Sequence, residues 1–161
     1  MDRGPSRPGA ESRGGTLLKA QHSPADRILA IDPGSAKCGL ALLEADGRVV
    51  EKAVLELGQL AERVQQTLEG GTKKVVLGGG TGSKSLAAVL KPICQASGAT
   101  LVMVAESHST QMARLLYFRE NPPQGWRRLL PASFQIPPRP YDDYGAIVIG
   151  RRYLEGGKAD V

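Results

Sequence analysis

The chain has 161 residues, enough for one domain with a real core, since a chain of this size buries roughly two-thirds of its unfolded surface. Hydrophobic residues make up 41% and charged residues 23%, and no apolar run approaches the ~18–20 residues of a membrane-spanning helix. Lysine and arginine number 21 against 16 acids, a formal charge of +5 that favours polyanionic partners, while the lack of a long apolar run argues against a membrane one. The start lacks the apolar core of a secretory signal, and Cys38 and Cys94 lack metal or redox spacing. The expectation is a cytoplasmic protein whose two cysteines are small core residues.

Residues 1–26 mix proline, glycine and charge with no apolar periodicity beyond Leu17 and Leu18, which predicts a flexible tail. An arm touching phosphate is the other reading of that segment. The folded domain is expected to span 27–161. Arg27 to Asp32 is a short apolar run stopped by Pro33 and Gly34, which predicts a strand buried on both faces. Cys38–Leu43 and Arg48–Val54 follow, joined by the tight-turn pair Asp46 and Gly47, so the first three strands form an antiparallel meander. Leu57, Leu60, Ala61, Val64 and Leu68 then fall at helical spacing, with Gly70 and Gly71 closing the helix.

Lys73–Leu77 predicts the next strand, and a glycine loop leads into a helix through Leu86, Leu90 and Cys94 that Pro92 should kink. Ala99–Val104 predicts a fifth strand, Ser109 to Phe118 a helix, and Tyr141–Leu154 the last helix after a proline-rich stretch. A three-strand meander followed by alternating helices and strands describes an α/β fold, a mixed sheet flanked by helices.

Asp32 ends the first strand, at the carboxyl edge where ligands bind in open α/β sheets; an Asx-turn acceptor is the plainer role. Glu106 follows the fifth strand, either as a site acid or as an acid in a helix's first turn. Asp142 opens the final helix on the face of Gly145, Ala146, Ile149 and Tyr153, which predicts that its carboxylate sits over the strand ends. Asp143 points about 100° away and is the weaker ligand candidate. Three acids from the first strand, a late strand and the last helix are what a two-metal phosphodiester nuclease needs. Their hard oxygens suit Mg²⁺ or Mn²⁺, and without a cation three converging carboxylates would repel one another.

At these residues the chain resembles a known group. Ile28 to Ala41, with Asp32-Pro33-Gly34 at its centre, resembles the opening of the RuvC-type Holliday-junction resolvases and the related YqgF nucleases. Glu106 to Thr110 and its helix resemble the second YqgF motif, with Ala105 and Ser107 replacing that motif's acid and arginine. Tyr141-Asp142-Asp143-Tyr144-Gly145-Ala146 resembles the YqgF terminal helix. The resemblance implies a ribonuclease-H-like fold, a divalent-metal endonuclease, and Asp32, Glu106 and Asp142 as the catalytic metal ligands. It implies branched DNA or a structured or single-stranded ribosomal RNA precursor as substrate. Two-fold junctions would also favour a homodimer.

Lys37, beside Asp32, is expected to touch phosphate. Gly78 to Ser85 nearly spells a nucleotide-binding GxxxxGK[ST] loop, but Ser83 replaces the second glycine, so Lys84 is read instead as a nucleic-acid contact. A sugar-kinase-like ATPase also opens on Asp-x-Gly but needs two such domains. Arg127 and Arg128, beside Trp126 in a stretch with few acids, are read as phosphate contacts, with a loop pinned by Trp126 and Phe134 as the alternative. His108 is read as solvated or capping. The class opposed to the nuclease is a module that holds nucleic acid without cutting it.

Overall fold

The computed structural model describes residues 23–105, 109–125 and 142–156. After a single 3-10 turn at Pro24–Asp26 come β1 (Ile28–Pro33), β2 (Lys37–Leu43), β3 (Val49–Glu56), α1 (Leu57–Glu69) and β4 (Lys74–Gly78). The chain continues with α2 (Ser83–Ala96), β5 (Thr100–Val104), α3 (Ser109–Glu120) and α4 (Asp142–Leu154). The strands form one sheet in the order β3-β2-β1-β4-β5. β1, β2 and β3 are antiparallel neighbours, whereas β4 and β5 run parallel to β1. This is the expected mixed sheet, with its central strand antiparallel on one side and parallel on the other.

β1 departs from expectation by one residue: Pro33 belongs to the strand, opposite Cys38. A proline fits there because the pairing with β4 ends at Ile31, so the missing N–H forfeits no bond on that side. Likewise α2 starts at Ser83, earlier than the apolar pattern suggests, and runs on through Pro92 to Ala96.

Both faces of the sheet are covered. Leu29, Ile31, Leu40, Val75 and Leu77 face α1 and α2, meeting Leu60, Val64, Leu68, Leu90 and Cys94. The alternate residues Ile28, Ala30, Ala41, Leu43 and Val76 face α3 and α4. That two-sided cover is why β1 and β4 read as continuous apolar runs. Cys38 and Cys94 are free thiols buried within the first of these layers, as expected of small core residues. Seven successive residues of α4, Tyr144 to Gly150, are buried because the helix lies between the sheet and α3. None of the helices among the described residues is long and apolar enough to cross a membrane.

Candidate active site

β1, β4 and β5 all end at the same edge: Ile31 pairs with Leu77 and Gly78 with Val104. From this edge the chain turns straight back into β2 after β1, but crosses over through α2 after β4. Such a switch in strand direction opens a crevice between neighbouring connections. Asp32, the penultimate residue of β1, is half-buried there, and its partner on β2 is Gly39.

Two glycines bring α4 onto that spot. A Cβ at Gly145 would overlap Asp32 Oδ2, with Asp32 Cγ only 2.8 Å away. A Cβ at Gly39 would overlap the Asp142 carbonyl oxygen and lie 2.8 Å from the Asp143 nitrogen. The first turn of α4 therefore rests backbone-to-backbone on β2, with Asp142 over the residue opposite Asp32. Cys38, next to Gly39, registers both acids: burial, then Asp142, then Asp32 push its thiol from near 9 up to about 11.

The two aspartates of α4 part ways. Asp142 is exposed, where the helical face predicted a carboxylate held over the strand ends, because its backbone rather than its side chain makes the contact with β2. Asp143 is the more buried, its side chain 15% exposed and 3.6 Å from Lys52 Nζ on β3. Lys52 also lies 3.5 Å from Glu120 Oε2 and 3.5 Å from the centre of the Tyr144 ring. The Tyr144 hydroxyl donates to Glu120 Oε2 at 2.9 Å and accepts from Asn121 Nδ2 at 3.1 Å. Burial alone would lower the Lys52 ammonium, but Tyr144, Asp143 and Glu120 together hold it above its usual value. This knot ties β3, the end of α3 and the start of α4 together beside Asp142. Sequence reasoning missed it, since nothing local marks Lys52 as the partner of an acid on the last helix.

The remaining expected residues divide. Lys37 is paired with Glu56 at 3.3 Å, both side chains about half exposed. Lys84 is exposed in the first turn of α2. The glycine loop before it lies against the turn after β1, with a Cβ at Gly82 4.0 Å from the Gly34 carbonyl. Within that loop the Gly79 N–H donates to Val104 O at 2.8 Å and the Ser83 N–H to Gly80 O at 3.0 Å. Two of the amides a phosphate cradle would present are thus already engaged. Glu106, Arg127 and Arg128, with His108, Trp126 and Phe134, lie outside the described residues. Among the described residues no three His, Cys, Asp or Glu side chains gather into a metal cluster.

The fold is that of RuvC, of ribonuclease-H-like type. The solved structure of Thermus thermophilus RuvC superimposes with a TM-score of 0.57 at 13% identity, over 84% of this chain and 99% of that one. T. thermophilus RuvC in complex with Holliday junction substrate superimposes with a TM-score of 0.56 at 15% identity, over 81% and 94%. No protein-family model and no curated protein matches the chain.

Proposed function

We propose that the protein is a divalent-metal-dependent endonuclease of the cytoplasm that hydrolyses phosphodiester bonds in branched DNA. The observation that carries this reading is the glycine seat of α4, which sets Asp142 beside Asp32 at the carboxyl edge of a RuvC-like sheet. The donor set fits Mg²⁺ or Mn²⁺, because carboxylate oxygens are the hard ligands these ions take. Asp32 and Asp142 would hold the metal, with Glu106 as the third ligand and Asp143 beside them. A divalent ion held by these carboxylates would supply Lewis-acid chemistry, a more acidic attacking water and charge compensation at the phosphate and the leaving oxygen.

The chain's own groups position and restrain. Gly145, lacking a side chain, makes the room that the Asp32 carboxylate occupies against α4. Lys52 anchors Asp143 and so the pitch of the helix start that carries Asp142. Lys37 at the start of β2 and Lys84 in the first turn of α2 would supply positive charge to phosphates, and Arg127 and Arg128 are the further phosphate contacts of this proposal. Two symmetric cuts across a four-way junction call for two copies of the site, hence a homodimer on that substrate.

The test is cleavage of a four-way junction, a linear duplex and a single-stranded ribosomal RNA precursor, each with Mg²⁺, Mn²⁺ or chelator. Metal-dependent cutting of the junction, lost in Asp32→Asn while junction binding persists or tightens, is the expected result. Cutting confined to the RNA would move the substrate to ribosomal precursors. Junction binding without cutting by the unaltered protein would make it a binding module, and full activity in Asp32→Asn would refute the mechanism.

A further inference from the structure

The solvent side of the α3–α4 layer carries a feature the nuclease reading does not use. A groove of about 530 Å³ runs between the two helices, floored by Met112, Leu115 and Leu116 of α3 and Val148 of α4. Met112 and Leu115 are 56% and 60% exposed, more than any other large hydrophobic residue among those described. They sit three residues apart and so share one helical face. Uncovered aliphatic surface concentrated in this way marks an interaction site rather than random scatter.

The rim has a sign. Among the described residues, Arg119, Arg151 and Arg152 line the groove against a single acid, Glu155. Arg151 is held in place by its Nε, which donates to the Gly47 carbonyl at 3.1 Å. An arginine already fixed loses less freedom when it meets a carboxylate.

These features select among occupants. Nucleic acid leaves the floor unexplained, because single strands stack on aromatic rings and the described residues of the lining include none. A second copy docked about a two-fold axis would set the arginine-rich rim against itself, which opposes pairing. What suits an aliphatic floor with a cationic rim is an apolar ridge flanked by carboxylates. The α3 lining from Met112 to Arg119 spans about two helical turns, the length over which i, i+4, i+7 anchors seat a helix in a groove. We propose that the α3–α4 groove docks an acidic amphipathic helix of a partner protein. Because the groove lies along the last turns of α4 while Asp142 begins that helix, the occupant leaves the acid pair open. The partner is thus a recruiting one rather than an inhibitor.

The probe is a synthetic amphipathic peptide about 15 residues long, with leucines at i, i+4 and i+7 and flanking glutamates. Its counterpart carries lysine at every glutamate, and binding to the full chain is read by fluorescence anisotropy. Saturable binding of the acidic peptide, ~10-fold or more tighter than the lysine peptide, is expected. Leu115→Ser should weaken it by ~10-fold, and Arg119→Glu should reverse the charge preference. Both positions are exposed, and circular dichroism checks that each variant keeps its helix content. Absent binding, or equal binding of the two peptides, would overturn the proposal. So would loss of junction affinity in Arg119→Glu without peptide binding, which would assign the face to nucleic acid. A dimer in sedimentation that Leu115→Ser dissociates would assign it to a second copy instead.

Discussion

Replacing Gly39 by alanine tests the central contact of the site directly. The new methyl would fall on the Asp142 carbonyl and 2.8 Å from the Asp143 nitrogen, where ordinary contacts between such atoms are ~3.5–4 Å. Backbone cannot rotate aside as a side chain can, so the start of α4 must retreat by on the order of 1 Å. Overpacking a tight core costs about 1–3 kcal/mol, and a backbone obstacle belongs at the upper end. Removing a glycine from a strand returns about 0.5–1 kcal/mol, leaving a net loss of about 2 kcal/mol. For a chain of this size that is a fall in Tm of roughly 4–8 °C. The matched control is Gly58→Ala in α1, where a Cβ meets nothing within 4 Å and Tm should hold or rise slightly. Thermal unfolding with and without Mn²⁺ reads both consequences, because a ligand bound only by the folded state raises Tm. The Mn²⁺-induced rise should shrink in Gly39→Ala and survive in Gly58→Ala. If Gly39→Ala melts at or above the parent with its Mn²⁺ response intact, the seat of α4 on β2 is not what positions the acids.

Three further outcomes follow from the same geometry. Lys52→Met should cost about 1–2 kcal/mol by chemical denaturation, because it strips the ion pair from Asp143, whose buried Oδ1 already lacks a hydrogen bond among the described residues; Lys52→Arg should restore most of it. In chelator, the Cys38 thiol stays protonated in the fold up to about 11 but ionises near 9 once unfolded, so its contribution is complete below pH 9 and is lost as pH rises through 11. That loss is about 2–3 kcal/mol, and Cys38→Ala should flatten the alkaline decline by that amount. ATP and GTP should give no saturable thermal stabilisation, since the Gly79 amide is spent on Val104 O of β5 and the Ser83 amide on Gly80 O; stabilisation that disappears in Lys84→Ala would reinstate a nucleotide site.

Local chemistry made much of this fold legible. The apolar run from Ile28, the turn at Asp46 and Gly47, and the helical spacing of Leu57 through Leu68 each sit within one element, where periodicity reports burial directly. The misplaced boundaries are those that depend on a neighbour. Pro33 stays in its strand only because β4 has stopped pairing by then. The positions of Asp142 and Asp143 escaped the helical wheel for a similar reason. A wheel assumes a helix lying flat along its length, whereas the first turn of α4 is pressed against Gly39 by its backbone and pulled toward β3 by Lys52. Gly145 lies on the face of Asp142 by helical spacing, but that its missing side chain makes room for Asp32 depends on how α4 crosses β1. The arginine-edged groove had no linear signature at all, because its two walls come from separate helices.

The late arrival of α4 in the chain shapes how the protein is made. Synthesis runs from the N-terminus at ~5–20 residues per second, so all five strands emerge before the helix that caps half of their buried face. For several seconds Ile28, Ala30, Ala41, Leu43 and Val76 lack the cover that Ala146, Ile147 and Ile149 later provide. The nascent chain is then a half-clad sheet, open to misassembly with its neighbours on the polysome. Asp32 meanwhile has no Asp142 beside it, so a chain halted before the last helix carries the sheet edge of the candidate site without its second aspartate.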